Sequence, residues 1–216
     1  MMTFDGYRLR IADYDAIHAD WPNIWRLGVV VFTRPEDAIC KEIITPSLNY
    51  LHELTGEKVH FYFVGFLDKE AMDYRKEVAS DLFGDGKRWY FSPSDFARVQ
   101  TEFENFSNGR WNYSGGTDLL VVPYRIRKGV FYIDADKALD IKLSKIAKNS
   151  KDYLPEEIVQ IIVRELKSGK DVDGVSNSRI MDGIKEGLKS SFLSILPGGL
   201  GKCFGVLEPF AVKNLT

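Results

Sequence analysis

Cysteine is scarce in this chain, and the two present, Cys40 and Cys203, lie far apart. That excludes a disulfide framework and a zinc-ligand spacing, and it fits a reducing compartment, so a cytoplasmic protein is expected. Histidine is equally sparse. His18, His52 and His60 share no ligand spacing, so no bound metal, cofactor or Ser-His-Asp arrangement is read from them. No long apolar run exists either: Phe192 to Val212 is broken by Pro197-Gly198-Gly199, Lys202 and Glu208-Pro209, which excludes a spanning helix there. The first 26 residues carry Asp5, Asp13, Asp15 and Asp20, unlike a secretory leader. An excess of one charge is missing too, with 29 Lys and Arg against 31 Asp and Glu, so there is no strong signal for nucleic acid or an anionic membrane.

What is present is an ordinary globular composition, 44% hydrophobic and 13% aromatic, enough to build one core without staples. An aromatic-rich segment over 1–27 (Tyr7, Tyr14, Trp21, Trp25) is expected to staple over the core. An α/β domain over 28–170 and a helix with an apolar tail over 171–216 complete the organisation.

Val29-Val30-Val31-Phe32 reads as a central strand covered on both faces. Thr33-Arg34-Pro35-Glu36 reads as a helix start with a Thr cap, followed by the stripe Ile39, Ile43, Tyr50 and Leu54, kinked by Pro46. A strand is expected from Val59 to Phe66, with His60 on its face, and a helix over 68–82 through Met72, Val78 and Leu82. A short strand follows at Trp89-Tyr90-Phe91. Ser92-Pro93-Ser94-Asp95 is the clearest helix start, and Phe96, Val99, Phe103 and Phe106 form one face ending near Gly109. Asp118–Pro123 and Val130–Asp134 read as a hairpin. Further helices are marked by Pro155 with Ile158, Ile161, Ile162 and Leu166, and by Ser176 with Ile180, Ile184, Leu188 and Phe192.

This order, βαβαβαββα over residues 29–167, resembles the thioredoxin-like fold, which implies a mixed sheet with flanking helices, here with a C-terminal helical extension. The hallmark residues differ: Thr33-Arg34-Pro35-Glu36 stands where Cys-x-x-Cys is expected, and no proline directly precedes the strand at Asp118. Cys40 lies inside its helix beside Ile39, the position of a core thiol and not of a redox centre.

Two constellations remain. Ser114-Gly115-Gly116-Thr117 offers a loop whose glycines let a ligand approach the backbone, although such pairs also serve as plain tight turns. These glycines precede a strand, unlike a phosphate loop, which follows one. Asp118, with Asp140-Ile141-Lys142 downstream, matches the Asp…Asp-x-Lys arrangement of metal-dependent nucleases, where two carboxylates hold a cation and the Lys stabilises phosphate charge. A strand over 139–143 puts Asp140 and Lys142 on one face; a helix separates them. Leu139, Leu143 and Ile146 fit a helix equally well, so the residues leave both open. The function expected is therefore a non-catalytic binding or regulatory module for a protein or small-molecule partner, with a metal-dependent nuclease as the alternative.

Overall fold

In β2 (Arg26–Phe32), Val29, Val30, Val31 and Phe32 are all buried, the sign of a strand with a layer on each face. The computed structural model describes residues 2–5, 26–46, 60–68, 80–84, 87–127, 130–134, 138–145, 160–162, 164–165, 179–180, 182–187 and 212–214. On one side β2 pairs in parallel with β3 (His60–Phe63); on the other it pairs antiparallel with β7 (Asp118–Arg127), Phe32 opposite Asp118. The protein is thus an α/β molecule built on a mixed sheet.

The far edge of β7 is shared by two strands. Its second half pairs with β8 (Val130–Ile133) and its first half with β9 (Leu139–Lys142). Pro123 sits at the changeover. Its carbonyl accepts from Asp134 N at 3.0 Å, so its missing N–H faces the gap between the two partners and costs no ladder bond. The strand therefore runs through the proline at which the sequence places its end. β1 (Met2–Asp5) lies along β8 and β10 (Val212–Asn214) along β9, so seven strands make up this sheet.

A smaller antiparallel sheet holds β4 (Phe66–Asp68), β6 (Lys87–Phe91) and β5 (Ser80–Gly84) in that order. Three expectations are corrected here. Residues 80–82 are strand where a helix over 68–82 is expected, because Leu82 stands opposite Trp89 in a hairpin; residues 69–79 lie outside the described residues. The strand at Trp89–Phe91 belongs to this second sheet and not to the main one, so the element order departs from βαβαβαββα. The expected strand from Val59 to Phe66 is likewise split by a turn at Val64-Gly65.

Helix α1 (Pro93–Phe106) starts as its sequence dictates: Ser92 Oγ accepts from Asp95 N at 3.3 Å, Pro93 takes the first turn, and Phe96, Val99 and Phe103 are buried. Its buried face meets Phe32 and Trp111, with Phe32–Phe103 centroids 5.1 Å apart and Phe32–Trp111 4.6 Å. The chain leaves the helix through Asn108 and Gly109, both at positive φ. After β2, a π-helical turn, Cys40–Ile44, is flanked by α-helical residues 38–39 and 45–46. Residues 160–162, 164–165, 179–180 and 182–187 are helical, with Ile161, Ile162 and Ile184 buried. Tyr50, Leu54, Cys203 and most of the aromatic-rich and apolar terminal segments lie outside the described residues. No helix among the described residues is long and apolar enough to cross a membrane.

Candidate functional site

Leu139–Lys142 is a strand, and the three residues of the Asp…Asp-x-Lys pattern meet. Asp118 stands opposite Lys142 and Leu120 opposite Asp140 in the β7–β9 ladder. Directly opposed residues share a face, so both carboxylates and the ammonium lie on one side of the sheet. Leu139 and Ile141 lie on the other, both fully buried, as is Leu143 where helix begins.

Three oxygens surround the Lys142 ammonium: Asn112 O at 2.8 Å, Asp118 Oδ2 at 2.9 Å and Asp140 Oδ2 at 3.3 Å. Asn112 O and Asp118 Oδ2 accept hydrogen bonds from it, and Asp140 Oδ2 makes an ion-pair contact. The Trp111 ring lies beside it, 5.5 Å from Nζ to the centroid. Asp118 is further held by Ser114, whose backbone N donates to Oδ2 at 2.9 Å and whose hydroxyl donates to Oδ1. Both aspartates are 0% exposed. A buried carboxylate is tolerated only when paired and hydrogen-bonded, and Asp118 meets both conditions. The described residues contain no cluster of three or more His, Cys, Asp or Glu suited to a metal.

The Ser114–Thr117 loop turns inward against a second network. Gly115 has φ +83, a backbone that side chains rarely adopt, and Gly116 approaches Ser144 so closely that a Cβ there would lie 2.5 Å from Ser144 Cβ and Oγ. Thr117 N donates to Ser144 Oγ at 2.6 Å, and Ser144 N returns a bond to Thr117 O at 3.2 Å. The Thr117 hydroxyl bonds Asp37 Oδ1 at 2.8 Å and lies 2.7 Å from the Thr33 hydroxyl, while Ser144 Oγ donates to Asp37 Oδ2 at 3.3 Å. Asp37 also accepts from Ile39 N and Cys40 N at 3.0 and 3.3 Å. Asp37, not Thr33, is therefore the helix cap; the Thr33 hydroxyl is turned to Thr117 across the sheet.

Sequence reasoning missed Thr33, Asp37, Asn112 and Ser144 as partners in these networks. Asp37 carries a local signal, a carboxylate two and three residues before the amides it caps. Ser144 and the Asn112 carbonyl carry none, because their roles exist only once β9 lies beside β7. Cys40 is buried, and burial pushes its thiol up from the usual range. Tyr113 moves the same way, chiefly through burial, with its hydroxyl buried and without a hydrogen-bond partner among the described residues.

Comparison with protein-family models, curated proteins and solved structures finds no match to this chain.

Proposed function

We propose that this chain is a non-catalytic α/β binding or regulatory module that engages a protein or small-molecule partner. The observation that carries this reading is the Lys142 ammonium seated between Asp118 and Asp140, with a further hydrogen bond to Asn112 O. The cation that two buried carboxylates require is already part of the chain. A Mg²⁺ ion demands six oxygens at about 2.0–2.1 Å and retains several waters; two fully buried aspartates clasped by Lys142 and Ser114 favour an internal strut tying β7, β9 and the loop before β7. The binding face falls at the carboxyl end of β2, where its neighbours diverge, β3 parallel and β7 antiparallel. Open α/β sheets characteristically take ligands outside the carboxyl ends of their parallel strands, here β2 and β3. The same arrangement of β3, β2 and β7 supports a thioredoxin-like sheet without its redox turn, and the cysteine usage supports a cytoplasmic location.

The second reading, a metal-dependent nuclease, is favoured by one observation: Asp118, Asp140 and Lys142 share a face. Titration calorimetry with Mg²⁺ and Mn²⁺ and cleavage assays on DNA and RNA separate the two. No saturable binding and no cleavage are expected. Specific metal binding abolished by Asp118→Ala, accompanied by cleavage, overturns the module reading in favour of the nuclease.

A further inference from the structure

The geometry points to Arg34 as the recognition point for a carboxylate group at the carboxyl end of β2. This deepens the binding-module reading and rests on it. Arg34 is exposed, yet its guanidinium is held over two rings, 5.1 Å from the Phe96 centroid and 5.8 Å from that of Tyr113. Those rings are themselves packed edge to face, 5.2 Å apart at 70°. Among the described residues the Arg34 side chain enters no hydrogen bond or ion pair. The ring contacts hold the guanidinium in place, and among the described residues its N–H fork, the part that meets a planar oxyanion, has no partner.

The support beneath Arg34 is fixed. Its loop is tied to the Gly115-Gly116 loop through Thr33–Thr117 and Asp37–Thr117, and to Ser144 through Asp37. Gly115 is exposed, with open space where a side chain would stand. A flexible surface arginine loses rotamer freedom on capturing an anion, and an arginine already stacked loses less.

Shape favours a carboxylate. Glu36 and Asp37 follow two and three residues after Arg34, and a dianion feels both their repulsion and the attraction of Arg34 more strongly than a monoanion does. A planar carboxylate matches the two-pronged N–H fork of the guanidinium. The carboxylate comes either from a peptide, at its C-terminus or an acidic side chain, or from a free organic acid.

The test is an NMR titration of the ¹⁵N-labelled full chain, following the Arg34 Nε–H and Gly115 amide resonances. The probes are acetate, inorganic phosphate, and a short peptide with either a free or an amidated C-terminus. Saturable shifts with carboxylates are expected, about tenfold weaker for phosphate, and lost at Gly115 in Arg34→Ala. Arg34→Lys keeps the charge but lacks the fork and weakens binding severalfold. Arg98→Ala, whose arginine is engaged by Asp95 and Glu102, leaves binding unchanged. A free-acid peptide binding well above acetate identifies a peptide ligand, and equal binding identifies a small acid. Flat titrations, or shifts that persist in an Arg34→Ala chain with wild-type melting, overturn the assignment. The metal and cleavage assays, which decide the module reading, are independent of that result.

Discussion

Lys142 concentrates the consequences of single residues in this fold. Its ammonium is the charge that makes two fully buried aspartates tolerable in one layer, so removing it leaves carboxylates that neither water nor another cation reaches without rearrangement. Lys142→Ala is expected to cost about 3–5 kcal/mol, the usual penalty for breaking a buried ion pair. Chemical denaturation measures it, and a loss under about 1 kcal/mol means the triad is solvated and the strut unimportant. A combined change of Asp118, Asp140 and Lys142 to apolar residues of similar volume is expected to recover much of that loss, because desolvation offsets most of the attraction in such sites. Cys40 gives a pH dependence. Its thiol is raised in the folded state by burial, so folded and unfolded chains are both neutral there well below the unfolded thiol pKa. Once pH rises above about 8.5 the unfolded chain ionises first, and stability falls through the interval up to the folded value. Cys40→Ala is expected to flatten that part of the stability profile. Native protein is expected to react slowly with thiol reagents and to show no insulin-reducing activity above that of Cys40→Ala.

At the scale of elements, α1 and the loop before β7 are the two pieces whose contacts make strong predictions. Phe103 packs on Phe32 and Trp111, so Phe103→Ala is expected to destabilise by about 3–5 kcal/mol in urea unfolding. Ser92→Ala removes the cap and the contact with the Ser94 hydroxyl and is expected to cost about 1 kcal/mol. Gly116→Ala sets a methyl against Ser144. It forces the loop off β9 and breaks the Thr117–Ser144 bond, an overpacking cost of about 1–3 kcal/mol. Ser144→Gly in the same chain is expected to relieve the clash and recover part of the loss, whereas Ser144→Ala is not, since Cβ itself is in the way. A double-mutant cycle reads the difference.

For the whole molecule, β10 is the described part of the C-terminal segment beyond residue 187. Val212–Asn214 runs along β9, with Lys213 opposite Asp140, so the chain returns to the sheet after the apolar stretch that begins near Ser190. Truncation at Pro197 is expected to lower the melting temperature or make the protein insoluble. It is also expected to raise hydrogen exchange at Leu139–Ile141. Unchanged stability with association confined to the full-length chain would instead make the segment an interaction surface.

Some of this was legible in the residues alone because it is governed by local rules. The Ser92 cap with Pro93 and the 3.6-residue spacing of Phe96, Val99 and Phe103 define α1 without reference to anything distant. The unbroken Val29–Phe32 run marks β2 as a doubly covered strand. Cys40, beside Ile39 and without a second cysteine nearby, reads as core, and it is buried although Asp37 caps the helix three residues before it. Elements whose local patterns fit two periods were decided by their partners. Leu139, Leu143 and Ile146 fit a helix as well as Leu139, Ile141 and Leu143 fit a strand; the free edge of β7 selected the strand, and helix begins only at Leu143. Leu82 fits a helical stripe until Trp89 stands opposite it. Residue types and spacing therefore determined which groups were capable of chemistry, Asp118, Asp140, Lys142 and the Gly115-Gly116 loop among them. Only the pairing of β9 with β7 decided that Lys142 lies against both aspartates and that Ser144 and Asp37 hold the loop. Strand register and long-range hydrogen bonds are set by contacts between residues distant in the chain, and no local pattern carries them.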